Sequence, residues 1–213
     1  MTRDPLLAQH WPASRVHRCL GRKDTHGLVR FLRERHQERS FKPIKNLKST
    51  RGNMQGYGFA MMALCSLLVE TIQSYRDGLP TTSGGELAHF RNLKNVPLPY
   101  RIPMGLTAGG EKAFRRFFRS YRSNFPGLGG VRFYRNIRNG LLHQAQTKGG
   151  WTLWKRGHCV WDEQQKRIFR DDFTEALEAS FKDYLAKLDK AAWKSKLWTN
   201  AARKIWWLIR LSV

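Results

Sequence analysis

The sequence predicts a mainly α-helical bundle with a small β-hairpin or three-strand appendage. Apolar residues recur at helical spacing in separate stretches, around 57–75, 111–123, 131–146 and 173–188. Strand-like runs are confined to one short region near 151–169. The chain's 213 residues suffice for one domain with a sizeable core. Residues 1–55 read as a basic N-terminal extension, 56–189 as the helical domain with a β insertion at about 150–170, and 190–213 as a basic, Trp-rich C-terminal helix.

The first 55 residues hold thirteen Lys/Arg against four acids. Leu28, Phe31 and Leu32 predict a short helix, followed by the basic stretch Phe41–Lys48. The segment is expected to be an electrostatic arm or an added helix layer, with a solvated basic extension as the equal alternative. His10, His17, Cys19, His26 and His36 fit no metal-ligand spacing and read as scattered surface residues. No apolar run marks a secretory signal between Met1 and Gly27. Cys19, Cys65 and Cys159 are odd in number and far apart, which points to a reduced, cytoplasmic setting without disulfides or zinc.

From Tyr57 to Tyr75 the chain is apolar on nearly all sides, as a buried or membrane helix would be. Its dense part ends at Val69, short of the roughly twenty residues that span a bilayer, so a central core helix is expected. Glu70, the sole acid between Glu38 and Asp77, is expected at the helix edge as a solvated charge. Pairing with an arginine of the 131–146 helix is the second reading. Residues 78–110 are rich in Gly and Pro and read as loop.

From about Glu111 to Ser123, Phe114, Phe117, Phe118 and Tyr121 share one side of a helix. Lys112, Arg115, Arg116, Arg119 and Arg122 share the other. The aromatic stripe reads as core. Five cations without an acid repel one another by about 0.2–0.5 kcal/mol per pair. A row kept at that cost is expected to face phosphates, ahead of simple solvation.

After a glycine-rich break at 126–130, Val131 to Gln146 reads as one helix. Asn139 and His143 are neighbours on one face of it. Arg138 stands five residues before His143, about 140° around the helix. One chain therefore cannot easily aim both at one small target, although two copies packed symmetrically could.

The strand-like runs Trp151–Trp154, Cys159–Trp161 and Arg167–Phe169 follow, their tryptophans expected to cover adjacent helices more than to stack on bases. Asp171 or Asp172 should cap an amphipathic helix carrying Phe173, Leu177, Phe181, Tyr184 and Leu188. The tail from Lys190 carries Trp193, Trp198, Trp206, Trp207 and six cations without an acid. It is expected to be engaged, against the domain, a partner or an anionic membrane interface.

The formal net charge of +23 favours polyanions and says little about fold. Half of the sixteen acids lie between Asp162 and Asp189, so the positive field belongs to the rest of the chain.

Arg138-Asn139-Gly140-Leu141-Leu142-His143 resembles the signature of the HEPN superfamily, an Arg and polar residue a few positions before a His near the end of a core helix. The resemblance implies a HEPN-like helical bundle that forms a homodimer and cuts RNA without a metal or other cofactor. Arg138, Asn139 and His143 would then be catalytic, meeting their counterparts in a shared cleft, with Glu70 and Arg135 as further cleft residues. It also implies a toxin or phage-defence effector with an antitoxin or defence-complex partner. One toxin subgroup carries a Tyr two residues after the His, where an antitoxin modifies it; this chain has Ala145 there.

Two function classes follow from the sequence. One is an endoribonuclease using the RNA's own 2′-OH, in which His, with an ordinary pKa near 6.5, carries protons. The other is a non-catalytic binder of nucleic acid or of an anionic membrane, the latter through residues 190–213.

Overall fold

A computed structural model describes residues 4–49 and 57–212. The chain opens with a short hairpin, β1 (Leu6–Ala8) against β2 (Trp11–Pro12). Helices α1 (Ala13–Arg22) and α2 (Thr25–His36) follow; a π-helical turn, Gln37–Phe41, then leads into α3 (Lys42–Ser49). Next come α4 (Tyr57–Asp77), α5 (Gly84–Asn92), a 3-10 turn at Leu98–Tyr100, and α6 (Gly110–Ser120). The motif region is α7 (Gly130–Phe133), a π-helical turn at Tyr134–Arg138, and α8 (Asn139–Gln144). Strands β3 (Thr152–Trp154), β4 (Trp161–Asp162) and β5 (Arg167–Phe169) precede α9 (Arg170–Lys190) and α10 (Lys196–Arg210). The fold is thus mainly α with a small strand appendage, as the periodicity predicts.

By packing, the described residues fall into two units. One comprises 4–39, 74–109 and 183–212; the other comprises 40–49, 57–73 and 110–182. Both differ from the linear division read from sequence, because α4 and α9 each contribute residues to both units.

In the first unit the N-terminal segment is a packed helix layer. Val16, Leu20, Leu28, Phe31 and Leu32 are buried, and Trp11 sets its ring on Phe31 while its indole N–H donates to Glu34 at 2.6 Å. The Asp24 carboxylate caps α2 by accepting from the Gly27 amide at 2.9 Å. The loop expected over 78–110 contains α5. Its start is a Ser83-x-x-Glu86 pair in which the Ser83 hydroxyl accepts from the Glu86 amide. That capping signal lay in the sequence beneath the glycines. Around α5, Leu79, Leu87, Val96, Ile102 and Trp207 form a buried cluster. The C-terminal tail is engaged here: Trp198 and Trp207 are buried, and the Trp207 indole donates to the Tyr100 carbonyl at 3.1 Å.

The second unit is organised by an aromatic core. The stripe of α6 is buried as expected, with Phe114, Phe117 and Phe118 each at most 3 % exposed. Phe133 stacks on both Phe114 and Phe173, tying the motif helix between α6 and α9. From α4, the core takes Met61, Met62, Cys65, Leu68, Val69 and Ile72. By length and composition α4 is apolar enough to cross a membrane, yet 61 % of its most apolar window is buried. The three-stranded sheet has the order β3–β5–β4, with β3 parallel and β4 antiparallel to β5. Trp151 and Trp161 stack on each other and are buried, while Trp154 stays 46 % exposed under the Arg167 guanidinium. Asp171 and Asp172 lie inside the first turn of α9 instead of capping it, and Asp172 accepts from the Gly157 amide at 3.0 Å.

Candidate functional site

The motif helix begins where Gly129-Gly130 lets it cross α6 closely. A Cβ on Gly130 would lie 2.5 Å from the Arg115 Cα, so no larger residue fits without displacing backbone. Beyond Phe133 the helix is not the uniform α-helix the periodicity predicts. Tyr134–Arg138 forms a wide π turn, a feature that re-aims the side chains it carries and recurs at functional sites.

Arg138 closes that turn and points inward. Its Nε donates to Glu70 Oε1 at 2.7 Å, and one Nη donates to Asn139 Oδ1 at 3.2 Å. The guanidinium also lies 5.4 Å from the centre of the Tyr134 ring. Glu70 is therefore not the solvated charge first expected: it is 8 % exposed and bound to the motif arginine. The reason is tertiary. Burying a carboxylate is tolerated when a cation and hydrogen bonds replace its water, and the π turn supplies that cation.

His143 is different. It stands exposed in the last turn of α8. The helix stops after Gln144 with Ala145 in the left-handed conformation, and the chain doubles back so that the Lys148 amide donates to the Asn136 carbonyl at 2.8 Å. This return path crosses Gly140, where a Cβ would stand 2.3 Å from the Gln146 carbonyl oxygen. The glycine between Asn139 and His143 is thus a steric requirement of the turn that leaves His143 at the surface. Among the described residues no hydrogen bond or ion pair joins Arg138 to His143, in keeping with their expected angular separation.

Arg135 is exposed and bonds Glu111 Oε2 at 3.0 Å. It borders an open groove of about 630 Å³ with Arg115, Arg132 and Asn136, floored by Gly127, Gly129 and Gly130. Arg132 is paired there with Glu163. Of the basic row, Lys112, Arg115 and Arg119 are exposed on α6, and Arg116 is half-buried. The helix ends at Ser120, so Arg122 sits exposed in the following turn. Arg115, Arg119 and Arg122 have no hydrogen-bond or ion-pair partner among the described residues.

The other candidates are dispersed. His10, His17 and His26 are exposed, and His26 bonds Asp189 at 2.8 Å. His36 is a buried core residue, not a surface one. Burial, followed by the nearby Arg35, Lys204 and Arg39 charges, pushes its pKa down to about 3. No three His, Cys, Asp or Glu side chains are grouped to hold a metal among the described residues.

No protein-family model, no curated protein and no solved structure matches this chain.

Proposed function

We propose that the chain is a metal-independent, HEPN-type endoribonuclease that works as a homodimer. The observation that carries this reading is the treatment of the two motif residues. Arg138 is fixed by Glu70 and Asn139, whereas His143, on the same helix, is left exposed to a substrate. In the proposed reaction a ribose 2′-oxygen attacks the adjacent phosphorus as its proton passes to a base. The bond from phosphorus to the 5′-oxygen breaks as that oxygen takes a proton from an acid. The products are a 2′,3′-cyclic phosphate and a 5′-hydroxyl. The His143 imidazoles of the two subunits divide the acid and base roles. Arg138 N–H groups meet the charge on the phosphorane, with Glu70 acting as a positioning residue. The basic row on α6 holds the RNA backbone. A role in cell defence, opposed by an antitoxin, belongs to this same reading.

A non-catalytic nucleic-acid binder is the second reading. It is favoured by the partial neutralisation of Arg138 by Glu70 and by the three unpaired arginines at Arg115, Arg119 and Arg122. Incubating purified protein with single-stranded RNA in EDTA separates the two. The nuclease reading expects cleavage with cyclic-phosphate ends, lowered by about 10²–10⁴-fold in His143→Ala, with some activity restored on mixing His143→Ala and Arg138→Ala subunits. Cleavage by His143→Ala at the unmodified rate, or only with added divalent metal, overturns it.

A further inference from the structure

The first unit carries a second site that neither the motif helix nor the basic row uses. Between α1, the 3-10 turn and the start of α10 lies a pocket of about 370 Å³. That volume is within the roughly 300–1,000 Å³ of small-molecule sites. Its aromatic lining is Tyr100, Trp193 and Trp198, and its cations are Lys23 and Lys194; no carboxylate lines it.

The aromatic lining is held by its neighbours. Trp198 is fully buried, capped at its amide by the Ser195 hydroxyl, and set 5.2 Å from the Trp193 ring. Tyr100 is held by parallel stacking on Trp206 at 5.3 Å. Trp193 stays half-exposed, and Lys23 and Lys194 are exposed. Lys23 occupies a left-handed position, φ 57°, at the end of α1, where glycine is the unstrained choice. The indole N–H of Trp198 is buried with no acceptor among the described residues.

These features define a ligand by exclusion. Two lysines and the lack of any acid reject cations. The rings favour a flat, unsaturated body, and the lysines ask for an anionic group at its edge. We infer that this pocket binds a nucleobase carrying a 5′-phosphate, the base against Trp193 and Tyr100 and the phosphate on Lys23 and Lys194. The same chemistry is presented by a free nucleoside 5′-monophosphate and by one unpaired residue of single-stranded RNA. The inference does not depend on the nuclease reading, since no residue of the pocket belongs to the motif helix.

Calorimetric titration of the full chain tests it with adenosine 5′-monophosphate, uridine 5′-monophosphate, adenosine, inorganic phosphate and a short single-stranded RNA. Nucleotide should bind at least tenfold more tightly than adenosine or phosphate alone. Trp193→Ala should weaken it by about 5–150-fold, the equivalent of about 1–3 kcal/mol per stacked base. Lys23→Glu with Lys194→Glu should abolish the preference for nucleotide over nucleoside. Binding of RNA that is lost in Trp193→Ala, with no binding of free nucleotide, assigns the site to a strand and supports the inference. The inference is overturned if phosphate binds as well as nucleotide. It is likewise overturned if Trp193→Ala binds normally, or if Trp193 is needed only for binding anionic phosphatidylserine vesicles.

Discussion

Glu70→Ala would remove the carboxylate that holds Arg138 and strand a guanidinium whose side chain is only 18 % exposed. Deleting one partner of a buried pair costs about 3–5 kcal/mol, because the surviving charge is left without either water or a counter-ion. Here the bond runs from the single Nε at 2.7 Å, and some water still reaches both side chains. The lower end, about 3 kcal/mol, is therefore expected. For a chain of this size about 2–4 °C of Tm accompanies each kcal/mol, which gives a fall of about 6–12 °C. Glu70 makes further contacts, so the single variant alone does not isolate the pair. The cycle of Glu70→Ala, Arg138→Ala and the double variant does, with a coupling of about 1–3 kcal/mol expected from thermal and urea unfolding. Glu70→Gln, which keeps an acceptor for Nε but no charge, should fall between wild type and Glu70→Ala. A coupling near zero, or a Glu70→Ala Tm within about 2 °C of wild type, would refute the claim that this pair fixes the motif arginine.

Further outcomes are expected from the same structure. Replacing Arg115, Arg119 and Arg122 together should leave Tm nearly unchanged. It should flatten the salt dependence of single-stranded RNA binding by about 2, from about 0.7 per lost phosphate contact; an unchanged slope would make the row a solvated face. His36, neutral in the fold with a pKa near 3, takes a proton in the unfolded chain near pH 6.5. Between those values the unfolded state binds the extra proton, so stability falls as pH falls through that window and is retained above it. Urea unfolding from pH 7 to pH 4 should show this, and His36→Phe should flatten the dependence. Burial pushes the Cys65 thiol up to about 12, while Cys159 is exposed. Maleimide should therefore label Cys159 readily in the native chain and Cys65 only after denaturation.

The helical class, the buried stripe of α6 and its opposed arginines, and the core role of Met61, Met62, Cys65, Leu68 and Val69 were legible in the sequence, whereas Tyr57 and Leu67 of the same apolar run are exposed. Each is a local periodicity: residues three and four apart share a helix face whatever the rest of the chain does. Helix α5 was not legible by that route, because its glycines and mixed faces give no clean apolar side, although its Ser83–Glu86 cap was present to be read. The fate of the tail required the fold, since Trp207 is placed by partners near positions 79–102. The candidate site divides in the same way. Arg138, Asn139 and His143 were singled out by the motif resemblance, and their spacing gave the idea that one chain does not join Arg138 to His143. The tertiary structure alone decided that Glu70, 68 positions earlier, bonds Arg138. It alone set the π turn that aims this arginine and the returning backbone that makes Gly140 obligatory. Periodicity reports which face of a helix a residue occupies. It carries no information on which distant element meets that face, and a charge is buried or solvated according to that meeting.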